Sequence, residues 1–479
     1  MDLVSDDYLR HNCGFAVTHT LHDAYSFGKD LQHRGREAAG IAAISNERID
    51  VLKWKGPITT FDITDLHKIF PGHDYNMFMT HVRYATRGRK DRILEDAHPH
   101  AIGGTVYERG NHTFILNCDA VIVHNGQINN EYFCNVDKEK LKTDCDSEAF
   151  LHLFMEKGEY ELLKKIPGAY TLAIADKRRK DVIVLRDKTG IKPGVIGWKD
   201  GKYVAASEDT ALTKNGGSFV EDLEPGCVYY FTENGNCRKE SVVAARPAYC
   251  FFEYNYLADA LSTLNGITAR TVRITHGETM ADEFKPDIEL VTFLPRCPEF
   301  AGRSYAAKRG IKFKPVFYKM KGERSFMGST EAERRDSIES NLHLLPEMEN
   351  FLNGKTLLSM DDSTIRGNNS RRERELLYKI ARVKESIHAS YTPQVGIIGD
   401  DGIKRGCLFG VDQPPDDNFI ARSIDGKSNR TLEEISADLG MPTFYLSMEG
   451  MLNGFEKLGM KRKDLCTYCI GGKHPFENL

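Results

Sequence analysis

Short runs of β-branched, apolar and aromatic residues recur through the first half of the chain, each bounded by Gly, Asp or Asn. They read GFAVTH, AGIAAI, IDVLKW, FMTHVRYA, TFILN, AVIVHNG, AYTLAIAD, DVIVLRD, KYVAASE and GCVYYF. Such runs predict strands. Helical patterns interrupt them near residues 21–33 and 147–165. Runs of strands with few helices predict stacked antiparallel sheets with helical layers. After the polar, basic stretch Cys237–Pro247 the pattern changes. Helical segments then alternate with short apolar runs, IELVTF, KFKPVF, KTLLSMDD and PTFYLS, which predicts a parallel α/β sheet. The boundary is placed near residue 245, giving regions 13–245 and 246–479. In the second region GKTLLSMDDSTIRGNNSRR (354–372) reads as strand, two acids, Gly-containing turn and helix. That helix is expected to carry Leu376, Leu377, Ile380, Val383 and Ile387 at helical spacing.

Composition narrows the classes. At about 150 residues per domain, 479 residues suggest two or three domains. A hydrophobic fraction of 41% and a net charge of -4 exclude a disordered polymer and argue against bulk binding to nucleic acid or anionic membranes. No apolar run approaches the ~18 residues of a membrane span, and the acidic start MDLVSDDYLRHN lacks a secretory h-region. A cytoplasmic protein is expected. Its 11 scattered cysteines make poor material for a disulfide framework. They pose a different question, which of them are nucleophiles or metal ligands.

Cys13 opens the strand pattern in HNCGFAV, after a polar leader of residues 1–12. The segments LQHRGREAAGI (31–41), HVRYATRG (81–88), HNGQINN (124–130) and DCDSEAF (144–150) follow in order. Together they resemble the glutamine amidotransferase domain whose nucleophile is an N-terminal cysteine, most nearly that of the amidophosphoribosyltransferase family, which opens purine synthesis. The resemblance implies a four-layer αββα glutaminase domain followed by a type I phosphoribosyltransferase α/β domain. A thiolate must attack the glutamine amide, releasing ammonia and leaving a thioester for water. If Cys13 becomes residue one, its own α-amine can serve as base; one branch of the family removes such a leader, and the same is expected here. By resemblance Arg83 pairs with the α-carboxylate of glutamine and Asp146 with its α-ammonium. Asn125 (side chain) and Gly126 (backbone N–H) form the oxyanion hole, while Arg34 and Gly35 shape the floor. His73, His81, His98 and His100 also crowd one stretch, but their spacing matches no common ligand pattern, and no metal is expected there.

DDSTIRG resembles the phosphoribosyl pyrophosphate loop of type I phosphoribosyltransferases. The likeness implies that Asp361 and Asp362 contact the ribose hydroxyls and Mg²⁺. Ser363, Arg366, Gly367, Asn368, Asn369 and Ser370 would wrap the 5′-phosphate. Several positions depart from the family: Asn368 and Asn369 replace threonines, and Arg296 and Cys297 replace an acid and a hydroxyl before the pyrophosphate. Asp259-Ala260-Leu261 stands for Arg-Pro-Asp. In the flexible loop 319–342, Arg324, Ser325 and Phe326 match, whereas Glu339 and Asn341 replace basic residues.

Cys466 and Cys469 form a C-x-x-C pair. The leader-bearing branch also carries a 4Fe–4S cluster, whose other two positions match Cys250 and Cys407. Zinc is the alternative for four thiolates. Cys118, Cys134, Cys145, Cys227, Cys237 and Cys297 are taken as structural. The function expected is glutamine-dependent transfer of ammonia to phosphoribosyl pyrophosphate, giving 5-phosphoribosylamine, in a homo-oligomer responsive to purine nucleotides. The alternatives are a glutaminase with another acceptor and a non-catalytic regulatory homologue.

Overall fold

The computed structural model describes residues 13–70, 74–84, 92–128, 133, 136–319, 342–411 and 413–476. The expectations for residues 1–12, His73, Cys134, Arg324, Ser325, Phe326, Glu339 and Asn341 lie outside the described residues.

In the first region side-chain alternation along each strand sorts residues between two faces. Phe15 and Val17 of Gly14–Thr18, Met77 and Met79 of Met77–Arg83, Val121 and Val123 of His112–Ile128, and Ala173 and Ala175 of Gly168–Asp176 share one buried core. The intervening Ala16, Phe78 and Val82 pack instead on the helix Leu21–Asp30 through Leu21, Ala24 and Phe27. Ile122, Leu172, Ile174 and Leu185 pack on Phe150, Leu153 and Phe154 of the helix Asp146–Lys165. One 13-stranded hydrogen-bonded sheet therefore folds over on itself, with helices outside both halves. The result is the helix–sheet–sheet–helix layering expected from the strand-rich pattern.

Two differences from the expected strands have physical causes. TFILN and AVIVHNG are one continuous strand, His112–Ile128, because Asn117 takes a left-handed conformation (φ 60°) without ending the ladder. The strands His100–Arg109, Ser218–Asp222 and Cys237–Ser241 were not expected; they are largely exposed, so their sequences carry little apolar alternation.

In the second region five parallel strands run in the order Lys312–Phe313, Leu290–Phe293, Thr356–Asp361, Glu385–Ser390 and Thr443–Tyr445. Leu358 and Met360 face the helices Ala269–Glu283, Glu299–Arg309 and Met448–Lys457, while Leu357 faces Leu376 and Leu377. The helix after the two acids is shorter than its sequence suggested. It runs from Asn368 to Ile380, and Arg382 adopts a left-handed conformation (φ 53°) that ends it. Val383 lies in the connection and Ile387 in the next strand, where a buried parallel strand needs apolar residues as much as a helix face does. Among the described residues no helix is long and apolar enough to cross a membrane.

Candidate active sites

Strand parity builds the first site. Cys13 and Arg83 continue the inward rows of Phe15 and Met79, in paired strands whose register places Gly14 opposite Val82. Asn125 continues the row of Val121 and Val123 and pairs with Thr171 on the neighbouring strand. All three thus emerge at one end of the space between the sheets, and all are fully buried. Gly35 permits the close approach of the 34–35 turn, since a Cβ there would lie 2.3 Å from the Arg83 carbonyl carbon. At Gly126 (φ 151°) a Cβ would meet the Ala169 carbonyl oxygen at 1.9 Å, so the backbone beside Asn125 requires glycine.

Arg83 Nη1 donates to the Ile93 carbonyl at 3.4 Å, but several other polar atoms of this pocket have no hydrogen bond among the described residues. Both side-chain atoms of Asn125 and the Nε and Nη2 of Arg83 are buried without a hydrogen bond among the described residues. Arg83 Nη2 does lie 3.5 Å from Asp96 Oδ2. Unsatisfied buried polar atoms cost about 1–3 kcal/mol each, and they are what a small amide- and carboxylate-bearing ligand would satisfy. Burial pushes the Cys13 thiol up to about 11, against a Tyr84 backbone hydrogen bond and the charges of Arg83, Lys192 and Arg34. The Cys13 thiol is therefore neutral at rest, and attack by its sulfur would need a base to take the proton.

Asp146 starts the helix Asp146–Lys165 and is buried. Its Oδ2 accepts from Ile128 N at 2.8 Å and its Oδ1 from Ser147 Oγ at 3.2 Å. Burial outweighs these bonds and raises its carboxyl to about 6. His124, 3.8 Å away, is held neutral by burial, so it brings no compensating charge. If Asp146 holds an ammonium group it must be ionised. The KM for glutamine should then rise about tenfold per pH unit below pH 6, as one proton displaces the ligand's charge partner. Steady-state kinetics between pH 5 and 8 check this; a flat KM removes Asp146 from the binding set.

Beneath Cys13 a buried ion network joins the two regions. Arg34 Nε donates to the Cys13 carbonyl at 2.9 Å, its Nη1 lies 2.5 Å from Glu208 Oε1, and its Nη2 lies 3.0 Å from Glu253 Oε1. Lys192 Nζ sits 3.7 Å from the same Glu253 oxygen. Glu208 also accepts from Ser262 Oγ (2.6 Å) and Asp259 N (2.9 Å). Burial alone would raise the Glu208 carboxyl, but His33 and Arg34 hold it well below the usual range. Its stabilising contribution is therefore full above the ordinary carboxylate pKa and is lost as pH falls through the lower folded value. Glu253→Gln should lower stability by about 3–5 kcal/mol, because it leaves buried cations uncompensated. Chemical denaturation measures the loss, and an unchanged midpoint would contradict the network's role. The sequence reading placed Arg34 here but missed Glu208 and Glu253, whose partners are roughly 170 to 220 positions away in the chain.

The second site lies at the carboxyl end of the central parallel strand, where ligands bind in open α/β sheets. Asp361 and Asp362 are both buried, with Asp362 N donating to Asp361 Oδ1 at 2.8 Å and Ser363 Oγ to Asp362 Oδ1 at 3.0 Å. Burial raises Asp361 to about 6 and, with the neighbouring Asp361 charge, pushes Asp362 well above the normal range. Two desolvated carboxyls side by side fit a divalent cation or ribose hydroxyls. Gly367 caps the helix that Asn368 and Asn369 begin. The arginine and serine of the expected phosphate set are otherwise engaged. Arg366 pairs with Asp417 (Nε to Oδ1 3.0 Å), and Ser370 Oγ lies 3.1 Å from His388 Nε2 inside the fold. Arg366, Asn368, Arg371, Lys404, Arg422 and Arg430 line a cleft of about 470 Å³ beside the loop. Sequence reasoning missed the buried pair His388–Glu373 (2.7 Å) and Arg273, whose guanidinium caps the Tyr254 and Ala258 carbonyls near Asp362. Glu373 and Arg273 lie in polar, charged helical segments, where one more charge carries no local signal of burial.

The four cysteines Cys250, Cys407, Cys466 and Cys469 meet in one chamber with Phe252 and Phe409. Tyr249–Cys250 and Leu465–Cys466 form a small parallel ladder that sets Cys250 beside Cys466. Phe409 N and Val411 N each lie 3.3 Å from Cys407 Sγ. Burial raises the Cys469 thiol well above normal, and the other three sulfurs add to the shift. The chamber is dry, rich in sulfur and supplied with N–H groups for a thiolate, which is what a multi-thiolate metal group needs.

Residues 106–246 match the family model described as a glutamine amidotransferase domain. An amidophosphoribosyltransferase of Methanocaldococcus jannaschii is 30% identical over 478 residues, 93% of this chain and 93% of that protein. That of Bacillus subtilis is 28% identical over 465 residues, covering 93% of this chain and 90% of the other. Among solved structures, the glutamine phosphoribosylpyrophosphate (PRPP) amidotransferase from B. subtilis complexed with ADP and GMP superposes with a TM-score of 0.78 at 26% identity, over 97% of each chain. A structure of the allosteric regulatory enzyme of purine biosynthesis gives 0.80 at 26% identity, over 97% of this chain and 96% of that one. Fold and site together define a glutamine amidotransferase joined to a second, parallel α/β catalytic domain. The chain belongs to the amidophosphoribosyltransferase family.

Proposed function

We propose that the chain hydrolyses glutamine at Cys13 and delivers the ammonia to phosphoribosyl pyrophosphate, where it displaces pyrophosphate to give 5-phosphoribosylamine, the opening step of purine synthesis. The observation that carries this reading is the union, in one chain, of a buried Cys13–Arg83–Asn125 pocket with a buried Asp361–Asp362 pair at a parallel-strand end. The division near residue 245 assigns one site to each domain. Cys13 attacks the amide carbon, its free α-amine takes the thiol proton, and Asn125 with the Gly126 N–H stabilises the oxyanion. Arg83 and Asp146 hold the two ends of the amino acid. Asp361 and Asp362 hold the ribose hydroxyls, and Ser363, Gly367, Asn368 and Asn369 line the phosphate end. Arg366 and Ser370 reach the phosphate only by leaving Asp417 and His388.

Mg²⁺ held with Asp361 and Asp362 would neutralise the departing pyrophosphate. The quartet Cys250, Cys407, Cys466 and Cys469 would hold a 4Fe–4S cluster that staples the second domain. A single tetrahedral zinc, with bonds of about 2.3 Å, draws four sulfurs to about 3.8 Å apart. The same four thiolates also suit such a zinc, and iron, sulfide and zinc analysis of the purified chain separates the two. A leader of residues 1–12, removed to expose Cys13, completes the mechanism. A cytoplasmic homo-oligomer under purine-nucleotide feedback belongs to the same reading, in keeping with the ADP and GMP of the B. subtilis structure.

The deciding experiment is a coupled assay on the purified chain, following glutamate and pyrophosphate release with glutamine and Mg²⁺-phosphoribosyl pyrophosphate. Stoichiometric release of both is expected. Glutamate without pyrophosphate would favour a glutaminase with another acceptor; release of neither would favour a regulatory homologue. N-terminal sequencing of the active species should begin at Cys13, and retention of residues 1–12 would exclude the free-amine base.

A further inference from the structure

No metal is expected at the crowded histidines from their spacing; of these, His73 lies outside the described residues, and His81 stacks on His98 at 4.2 Å between ring centres. A different trio does converge. One ligand atom each from His98, His100 and Cys145 lies within 4.8 Å of the others. All three residues are buried, at 0%, 3% and 1% exposure. They come from three places in the chain: the 92–99 segment, the start of the strand His100–Arg109, and the residue preceding the helix Asp146–Lys165. We propose that His98, His100 and Cys145 form a binding site for a borderline-soft divalent cation of the Zn²⁺ class, tying the 92–100 segment to the start of that helix.

The donor set decides the class. Two imidazoles and a thiolate suit Zn²⁺, Co²⁺ or Cd²⁺ and not Mg²⁺ or Ca²⁺, which take oxygen ligands. Independent support comes from His100. Its Nε2 is buried with no hydrogen-bond partner among the described residues, an arrangement that costs free energy unless something ligates it. Burial, with Lys53 and Arg83 nearby, keeps that ring neutral, the form that binds metal. His98 is already oriented, with Nε2 2.9 Å from Ser147 Oγ, in the manner of a hydrogen bond that fixes a ligand ring. The fourth position is left to solvent, since Asp146, whose Oδ1 lies 3.7 Å from Cys145 Sγ, is the residue assigned to the glutamine ammonium.

Tetrahedral bonds of about 2.0–2.3 Å put ligand atoms about 3.3–3.8 Å apart. The trio must therefore close by up to about 1.5 Å, and Cys145, which sits outside the helix it precedes, is the member least held by a helical turn. Binding replaces the Cys145 S–H bond by an S–metal bond, and the proton leaves to solvent. The charges facing the site are the cations of Lys53 and Arg83 and the carboxylates of Asp96 and Asp146, with the buried Glu148 beside Lys53. The incoming dication, less the proton released, adds one positive charge to a set of two cations and three carboxylates. Local charge therefore offers only weak opposition to binding.

The test uses the full chain freed of adventitious metal and then titrated with CoCl₂. Wild type should bind one more Co²⁺ per chain than Cys145→Ser, and should develop a thiolate-to-cobalt charge-transfer band that Cys145→Ser and His100→Gln lack. ZnCl₂ should raise the wild-type melting temperature by a few degrees more than that of Cys145→Ser. Because either variant could misfold, ZnCl₂-soaked wild-type crystals supply a measurement that needs no variant: an anomalous peak at the zinc edge between His98, His100 and Cys145. Equal cobalt stoichiometry in wild type and folded variants, or no anomalous peak at that position, would overturn the proposal. The quartet of Cys250, Cys407, Cys466 and Cys469 is present in every variant and cancels from the comparison.

Discussion

Cys13→Ala should lower glutamine-dependent turnover by at least about 10⁴-fold, because removing a nucleophile deletes the covalent route entirely. Synthesis from ammonium chloride and phosphoribosyl pyrophosphate should stay within a factor of a few of wild type. The contrast follows from the architecture. Cys13 stands at the end of the inter-sheet space of the first region, whereas Asp361 and Asp362 stand at the end of a parallel strand in the second. Stability should change little, since the alanine removes one sulfur from a pocket that already contains unsatisfied Arg83 and Asn125 groups. Two rate measurements on one preparation decide the matter. Retained glutamine use would move the nucleophile elsewhere. Loss of both activities in a protein with unchanged melting temperature would mean that the two sites cannot work separately.

The second large effect is expected of Asp361→Asn with Asp362→Asn. Each carboxylate should make charge-assisted hydrogen bonds to ribose worth about 1.5–3 kcal/mol. Losing both should weaken Mg²⁺-phosphoribosyl pyrophosphate binding by about 10²–10⁴-fold. The melting temperature, by contrast, should hold or rise. Burial raises both carboxyls above the ordinary range in the folded chain. Ionising them at neutral pH therefore costs the folded state free energy that the unfolded chain does not lose, and neutral asparagines relieve it. Weaker binding with undiminished stability is the signature of residues kept for function. Titration calorimetry and thermal melts test the two halves. Unchanged affinity would remove the acids from the ligand site, and a large fall in melting temperature would make them structural.

The legible part of this protein was local. Strand runs such as AYTLAIAD and DVIVLRD announce themselves because their residues are buried on both faces of a layered sandwich. KTLLSMDD likewise marks a strand, which runs Thr356–Asp361 and brings the two acids to its end. Exposed strands such as Ser218–Asp222 stayed hidden, since an exposed face needs no apolar period. Helix and strand also share an apolar code over short runs, which is why Ile387 was assigned to the wrong element.

Sequence by itself determined which residue types stand toward the strand ends and at one helix start: Cys13, Arg83, Asn125 and, on the helix, Asp146 in one half, Asp361 and Asp362 in the other. Segment order was enough for that, because each motif is contiguous and its strand or turn is built from near neighbours. Only the tertiary structure decided what those residues touch. It set Arg34 between Glu208 and Glu253, turned Ser370 toward His388 and Arg366 toward Asp417, and gathered Cys145 with His98 and His100. Each of these contacts joins side chains from separate elements, and burial, which magnifies their electrostatic consequences, is a property of the packed molecule and of no segment within it.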